Sequence, residues 1–245
     1  MSGILVIVGT PIGHAEDISP RAVTALRDAD LIACEEAPVA RRLLSRHGML
    51  KDLIEVNEHT ERDAAEEVLE ELRGGKTVAL ISDCGMPVFA DPGSSLVSAA
   101  LDAGIVVDVV PGPDSLTAAL AVSGFNAQRF LFYGFLSPKK SLRRDELAKL
   151  RSMTIPLVFL DAPYRLTQVL EDMRTQLGPT REACIACDLT LPSQLVARGT
   201  LHALYTRFAA EGKKREFVII VGPRPESENR SASRLSRKHG ERGRR

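Results

Sequence analysis

Residues 77–110 read "TVALISDCGMPVFADPGSSLVSAALDAGIVVDVV". The apolar run at 77–81, with a β-branched residue at three of its five positions, predicts a strand. "SLVSAALDAG", 95–104, carries apolar residues at helical spacing, and "IVVDVV", 105–110, predicts a second strand. Strand, helix and strand in this order imply a right-handed crossover and a mostly parallel sheet. Between the first strand and the helix lies "SDCGMPVFADPG", 82–93. It holds two glycines, two prolines and two aspartates, with no His, Lys or Arg. So rigid and acidic a loop at a strand-to-helix junction suggests a ligand site.

The same alternation extends toward the N-terminus. "GILVIVG", 3–9, is a continuous apolar run, as in a strand buried on both faces. Ser19 is a suitable N-cap and Pro20 suits the first position of a helix over "PRAVTALRDA". "DLIACE" predicts a strand and "PVARRLLSRHG" a helix that begins at Pro38 and ends at Gly48. "LIEVN" follows as a strand and "ERDAAEEVLEELRGG" as an amphipathic helix. On the other side, "SLTAALAVSG", 115–124, is a helix.

From Phe125 the texture changes. "RFLFYGFL" concentrates aromatic residues in a chain where they are only 4%. It opens a second series: a helix near 142–150, a strand "PLVFLD", a helix "PYRLTQVLEDMRTQLG", a strand "EACIACDL", a helix near 201–210 and a strand "EFVIIV". The expected organisation is an α/β domain over 1–123, a second over 124–224, and a tail over 225–245, with Gly124 and Asn126 as linker residues. The tail is rich in Ser and Arg and nearly free of apolar residues, so it is expected to be disordered and net basic. A basic tail attracts RNA phosphates, or merely solubilises the chain.

Composition excludes several classes. A hydrophobic fraction of 44% over 245 residues suits a globular protein of one large or two modest domains. No apolar run reaches membrane-spanning length, and no basic segment with a long apolar core opens the chain. A soluble cytoplasmic protein is expected. Cys184 and Cys187 form a C-x-x-C, but on a strand residues three apart face opposite sides. No second pair has ligand spacing, so the cysteines are expected to be buried and reduced, and no metal is expected.

Three Gly/Pro loops follow strands of the first domain: "GTPIGHAEDIS", "SDCGMPVFADPG" and "PGPDS". In open α/β sheets ligands sit beyond the carboxyl ends of the strands. No G-x-G-x-x-G and no phosphate-binding G-x-x-x-x-G-K-[ST] occurs. Instead of Lys or Arg, the loops offer Glu16, Asp17, Asp83 and Asp91. An acidic, carbonyl-rich site suits a cationic or zwitterionic ligand, of which S-adenosyl-L-methionine (SAM) is one.

"LVIVGTPIGHAEDIS", "VALISDCGMPVFADPG", "VVPGPDSLTAALAVSG", "RFLFYGFL" and "REFVIIV" occur in this order across residues 4–222. Together they resemble the tetrapyrrole-methylase-like class of SAM-dependent methyltransferases, and within it the RsmI-type family. That family methylates a ribose 2′-hydroxyl of a cytidine in small-subunit rRNA. The resemblance implies the tetrapyrrole methylase fold, two α/β domains with SAM in the cleft between them, and a homodimer. It also implies SAM contacts from Ile12, Gly85, Met86, Pro87, Phe89, Asp114 and Ser115, with Leu160 or Asp161 and Ala186 or Cys187 from the second domain. The family's E-D-T-R stands here as "EEAP", with Pro38 for the arginine, and its H-E-H-N as "NEHT".

A ribose hydroxyl is a poor nucleophile and benefits from a general base. Glu35, Glu36, Glu58 and His59 are the candidates, each just after a strand of the first domain. Glu36 and Glu58 also suit helix N-terminal capping. Arg41, Arg165, Lys139 and Lys140 are candidates to hold RNA phosphates. Arg41 and Arg42 lie on a helix, where a solvated face is the ordinary expectation, whereas "SPKKSLRR", 137–144, is a denser basic run. Two other functions fit the residues: methylation of a small molecule or protein, and SAM binding without catalysis.

Overall fold

Strand β1 (Ile4–Val8) lies inside a five-stranded sheet, with a neighbour on each side. The computed structural model describes residues 3–57 and 61–224, except the side chains of 61 and 62. The basic tail expected at 225–245 lies outside the described residues.

After β1 the chain runs through α1 (Pro20–Asp28), β2 (Leu31–Cys34), α2 (Ala37–Arg46), β3 (Asp52–Glu55), α3 (Glu61–Arg73), β4 (Thr77–Ile81), α4 (Ser94–Asp102) and β5 (Val106–Val110). The sheet order is β3-β2-β4-β1-β5, and every pairing is parallel. Helices cover both faces, which is why these strands read as unbroken apolar runs. Leu5, Ile7, Val78 and Leu80 pack with Val68, Leu72 and Leu96 of α3 and α4. Val8, Ile32, Ala79 and Ile81 pack on the other side with Ala22, Leu26 and Leu44 of α1 and α2. Each such Leu, Ile or Val contributes about 1.5–3 kcal/mol by leaving water. Ser19 caps α1 as expected, its hydroxyl accepting from the Ala22 N–H at 3.1 Å.

The order reverses at β1: the chain passes first to β2, and β4 returns to fill the gap. Because β4, β1 and β5 are neighbours, the three Gly/Pro loops that follow them emerge side by side at one edge.

The second series comprises α5 (Ser115–Ser123), β6 (Leu131–Phe135), α6 (Lys140–Leu150), β7 (Leu157–Leu160), α7 (Leu166–Gln176), β8 (Glu182–Cys187), β9 (Leu195–Thr200), α8 (Leu201–Glu211) and β10 (Phe217–Val221). The chain divides into two units, Met1–Ser115 and Leu116–Arg245. The sequence places the division at 123/124; the two placements differ by the length of α5, which groups here with the second unit.

The second sheet has the order β6-β7-β10-β8-β9. Only β6 and β7 are parallel, and the other three pairings are antiparallel, so an all-alternating parallel arrangement does not hold here. Strand β9 is the element the sequence conceals. It is an edge strand in which only Ala197 is fully buried, and β8 reaches it without an intervening helix. One face of this sheet carries Phe159, Ile185, Cys187, Phe217 and Ile219 and packs with α6, α7 and α8. Cys184 and Cys187 are buried free thiols. Burial pushes Cys187 up to about 12, and Cys184 also rises by burial. Among the described residues no helix is long and apolar enough to cross a membrane.

Candidate active site

The three loops of the first unit are fastened to one another chiefly by backbone. Thr10 and Gly85 form an isolated two-way bridge: Thr10 N–H donates to Gly85 O at 2.8 Å, and Gly85 N–H to Thr10 O at 3.2 Å. The Thr10 hydroxyl, also buried, reaches the Ser82 and Gly85 carbonyls. The third loop joins through Gly112, whose N–H donates to the Met86 sulfur at 3.3 Å. Gly9 and Gly112 approach so closely that a Cβ on Gly112 would lie 2.7 Å from the backbone of Gly9. Glycine is required at that contact because no side chain fits between two main chains.

The acidic loop is held in uncommon backbone. Gly85 has φ of +83°, Val88 +72° and Ala90 +64°. Non-glycine residues there cost about 1–3 kcal/mol each and persist where surrounding structure enforces them, commonly at ligand clamps. The bridge to Thr10 is one such constraint.

This frame brings together several expected SAM contacts. Ile12 lies beside Gly85, its Cγ2 3.4 Å from where a Cβ would stand. Pro87 is buried, Met86 half-buried and Phe89 exposed at 40%. Asp114 and Ser115 are half-buried where the third loop enters α5. Asp83 and Asp91 flank the loop half-buried. Burial first, and Glu35 second, push Asp83 up to about 6. Burial also raises Asp91, against a hydrogen bond from Ser82.

In the second unit the sheet sorts the remaining candidates. Leu160 and Ala186 both pair with Val218, so the three form one row across β7, β10 and β8. Cys187 is the next residue along, and the pleat turns its side chain to the opposite face, into the helix-covered core. Of the alternatives Ala186 and Cys187, only Ala186 shares a face with Leu160. Asp161, at the end of β7, is 5% exposed. Its Oδ1 accepts from the Ala162 N–H at 2.7 Å and meets Arg165 at 3.0 Å. Its Oδ2 is buried without a protein hydrogen bond, and burial raises this carboxyl despite Ala162 and Arg165. A buried carboxylate oxygen of this kind suits a ligand that brings an ammonium or hydroxyl donor.

The expected base and phosphate residues are distributed differently. Glu35 is half-buried and Glu36 exposed at the head of α2. Glu36 occupies the N-cap position but its side chain makes no capping bond. Two other carboxylates do that work: Asp83 Oδ1, in the acidic loop after β4, accepts from the Glu36 N–H at 3.1 Å, and Glu55 Oε1, at the end of β3, from the Ala37 N–H at 2.7 Å. Negative charge there is favourable toward the helix dipole. Glu58 and His59 lie outside the described residues.

Of the four basic residues in 137–144, two are engaged internally. Arg143, 3% exposed, pairs with buried Asp172 at 2.7 Å and donates to the Ser137 and Pro138 carbonyls. Arg144 pairs with the other oxygen of Asp172 at 2.6 Å. Lys139 and Lys140 are exposed where α6 begins. Arg165 is engaged as well, through Asp161 and the carbonyls of Leu136 and Ser137. Its guanidinium holds the loop before α6.

Helix α2 separates two cavities within the first unit. Arg41 lines one of about 420 Å³, together with Glu55, Asp63 and Glu67. Arg42 and Arg46 line the other, about 290 Å³, whose wall includes Ile12, Ile81 and Asp83. The sequence reading gives Arg42 only the solvated face of a helix and does not single out Arg46. Their signal is the spacing Val39, Arg42, Leu43, Arg46, which is one stripe of the helix. Among the described residues no group of three His, Cys, Asp or Glu is placed to hold a metal ion.

Comparison with known proteins agrees with this architecture. The diphthine synthase crystal structure superposes with a TM-score of 0.72 at 17% identity, covering 91% of this chain and 90% of that one. "Ribosomal RNA small subunit methyltransferase I" of Xylella fastidiosa is 43% identical over 221 residues, 89% of this chain and 81% of that protein. The Thermotoga maritima protein of the same name is 40% identical over 89% of this chain and 98% of its own length. Residues 4–205 match the family model for tetrapyrrole (corrin/porphyrin) methylases, and the chain therefore belongs to that family of SAM-dependent methyltransferases.

Proposed function

We propose that this protein methylates a ribose 2′-hydroxyl of a cytidine in small-subunit rRNA, with SAM as methyl donor. The observation that carries the reading is the match, over 89% of the chain, to proteins named for small-subunit rRNA methylation. When bound, SAM supplies an electrophilic methyl group on a sulfonium. The residues of the chain suit such a ligand: carboxylates at Asp83 and Asp91 and a loop whose carbonyls are fixed in place, without a lysine or arginine in 82–93. In the proposal Ile12, Met86, Pro87, Phe89, Asp114 and Ser115 contact the donor, and Gly85 keeps the loop close to Thr10.

Methyl transfer to a hydroxyl needs alignment, exclusion of water and removal of one proton. Glu35, half-buried and near enough to Asp83 to act on that carboxyl, is the base candidate placed beside the acidic loop. Lys139 and Lys140 are the exposed cations offered to RNA by the second unit. A homodimer in the cytoplasm completes the proposal, on the family resemblance.

The test is transfer of labelled methyl from SAM to small subunits isolated from cells that lack this protein. One cytidine should gain a 2′-O-methyl group, read by nucleoside mass spectrometry. Label appearing instead in a small molecule or a protein, with the rRNA unchanged, would overturn the reading.

A further inference from the structure

The cavity of about 290 Å³ beside α2 opens where β1 and β4 end, next to the bridge between Thr10 and Gly85. One wall is the helical stripe of Val39, Arg42, Leu43 and Arg46, and the facing wall carries Ile81 and Asp83. Residues four apart on a helix are neighbours, so the two guanidinium groups stand together on this wall. Neither makes an ion pair or side-chain hydrogen bond among the described residues. Both are exposed, whereas the more enclosed Arg143 and Arg165 are each tied to a carboxylate and to two carbonyls. Two cations left without protein partners, over an apolar wall, form a surface for an anionic ligand with a flat or apolar body.

Resting on the reading of the protein as an rRNA methyltransferase, we infer that this cavity receives the acceptor nucleoside, with Arg42 and Arg46 holding the phosphodiesters that flank it. The volume of about 290 Å³ is enough for one nucleoside. Val39, Leu43 and Ile81 offer the apolar contact that a base or sugar face requires. Arginine suits the phosphates because its planar fork matches their oxygens two at a time. Asp83 stands across from the arginines and supplies an acceptor for a ribose hydroxyl.

The experiment compares the wild type with Arg42→Glu/Arg46→Glu and with Arg42→Lys/Arg46→Lys. Methyl transfer to undermodified small subunits is followed against subunit and salt concentration, and SAM affinity is measured separately by calorimetry. The glutamate variant should raise KM for the subunit by roughly tenfold or more, and flatten the log–log salt dependence by about one unit per lost contact. The lysine variant, which keeps charge but not the fork, should fall between. Affinity for SAM and the thermal midpoint should stay at wild-type values in both. An unchanged KM and salt slope, while the wild type methylates rRNA, would overturn the inference and leave the functional reading intact. Lost SAM affinity would place these arginines at the donor and also overturn it. If the wild type methylates a small molecule or protein and no RNA, both fall.

Discussion

The two units fasten their loops by opposite means. In the first, main chain holds main chain: Thr10 to Gly85, Gly9 against Gly112, and the Gly112 amide on the Met86 sulfur. Charged side chains nearby, Arg42 and Arg46 above all, are left to face cavities. In the second, buried guanidinium groups hold the loops. Arg143 and Arg165 bind the carbonyls of residues 136–138, and Arg181 those of Arg151, Met153 and Gly222. Arg42 and Arg46 of the first unit are therefore available to a ligand, although Lys51 there is tied to the carbonyls of Arg27 and Ala29, whereas the arginines of the second unit are often part of the frame. Density of charge along a sequence does not distinguish the two, because the distinction lies in whether a partner exists.

The sharpest way to break this contrast is to remove Asp172. Its two oxygens hold Arg143 and Arg144, and it is 1% exposed. Asp172→Ala leaves the Arg143 charge buried without its carboxylate, a change that costs about 3–5 kcal/mol. Truncating Arg42 or Arg46 to alanine should move stability by less than about 0.5 kcal/mol, as for surface positions. Urea denaturation of the three variants measures the difference. Similar losses in all three would abolish the contrast.

Gly112→Ala tests the other half, the backbone fastening. The new Cβ would meet the Gly9 backbone at 2.7 Å, and backbone cannot rotate away as a side chain can. The loops must part, at a cost of about 1–3 kcal/mol for an overpacked contact. Calorimetry should show SAM affinity falling with it. Full affinity in a folded variant would mean that the loop spacing is not what shapes the donor site.

These contrasts also mark what a sequence can disclose. Strands β1 and β4 were readable because both faces are buried, leaving continuous apolar runs. The three loops were readable because glycine and proline are demanded by backbone geometry, which is local. Strand β9 was not, since an edge strand with one buried side chain carries no apolar pattern. Nor was the fate of Arg143: its partner Asp172 is 29 residues away, on another helix. The stripe of Arg42 and Arg46 was visible as spacing, but the wall it faces comes from Ile81 and Asp83, some forty residues on. Ala186 and Cys187 could not be told apart in the sequence for a simpler reason: they are adjacent on β8, and only the pleat shows that Ala186 shares a face with Leu160 while Cys187 turns into the core.

The smallest expected effect concerns Asp83, where the two means of fastening meet: a side chain that both borders a cavity and accepts from the Glu36 N–H. Burial and the neighbouring Glu35 hold its carboxyl at about 6, above the ordinary aspartate value of 3.8. The folded protein then binds more protons at this site than the unfolded chain between about pH 4 and pH 6. Unfolding free energy contributed here therefore falls as pH rises through that window and stays lower above it. Asp83→Asn keeps an oxygen for the Glu36 N–H and removes the charge beside Glu35. The stability of the wild type minus that of the variant should decline from pH 4 to pH 6 and level off. Asp161 is common to both proteins and largely cancels, whereas Asp91, which the Asp83 charge helps to raise, loses that contribution in the variant and adds a smaller change of the same sign. Because Asp83 is only half-buried, solvent screens the effect and the slope will be shallow. Thermal midpoints of both proteins across pH 4 to 7 supply the measurement. A difference that rises with pH would show that the Glu36 N–H outweighs burial, and that the carboxylate is a structural cap rather than a group held ready for a ligand.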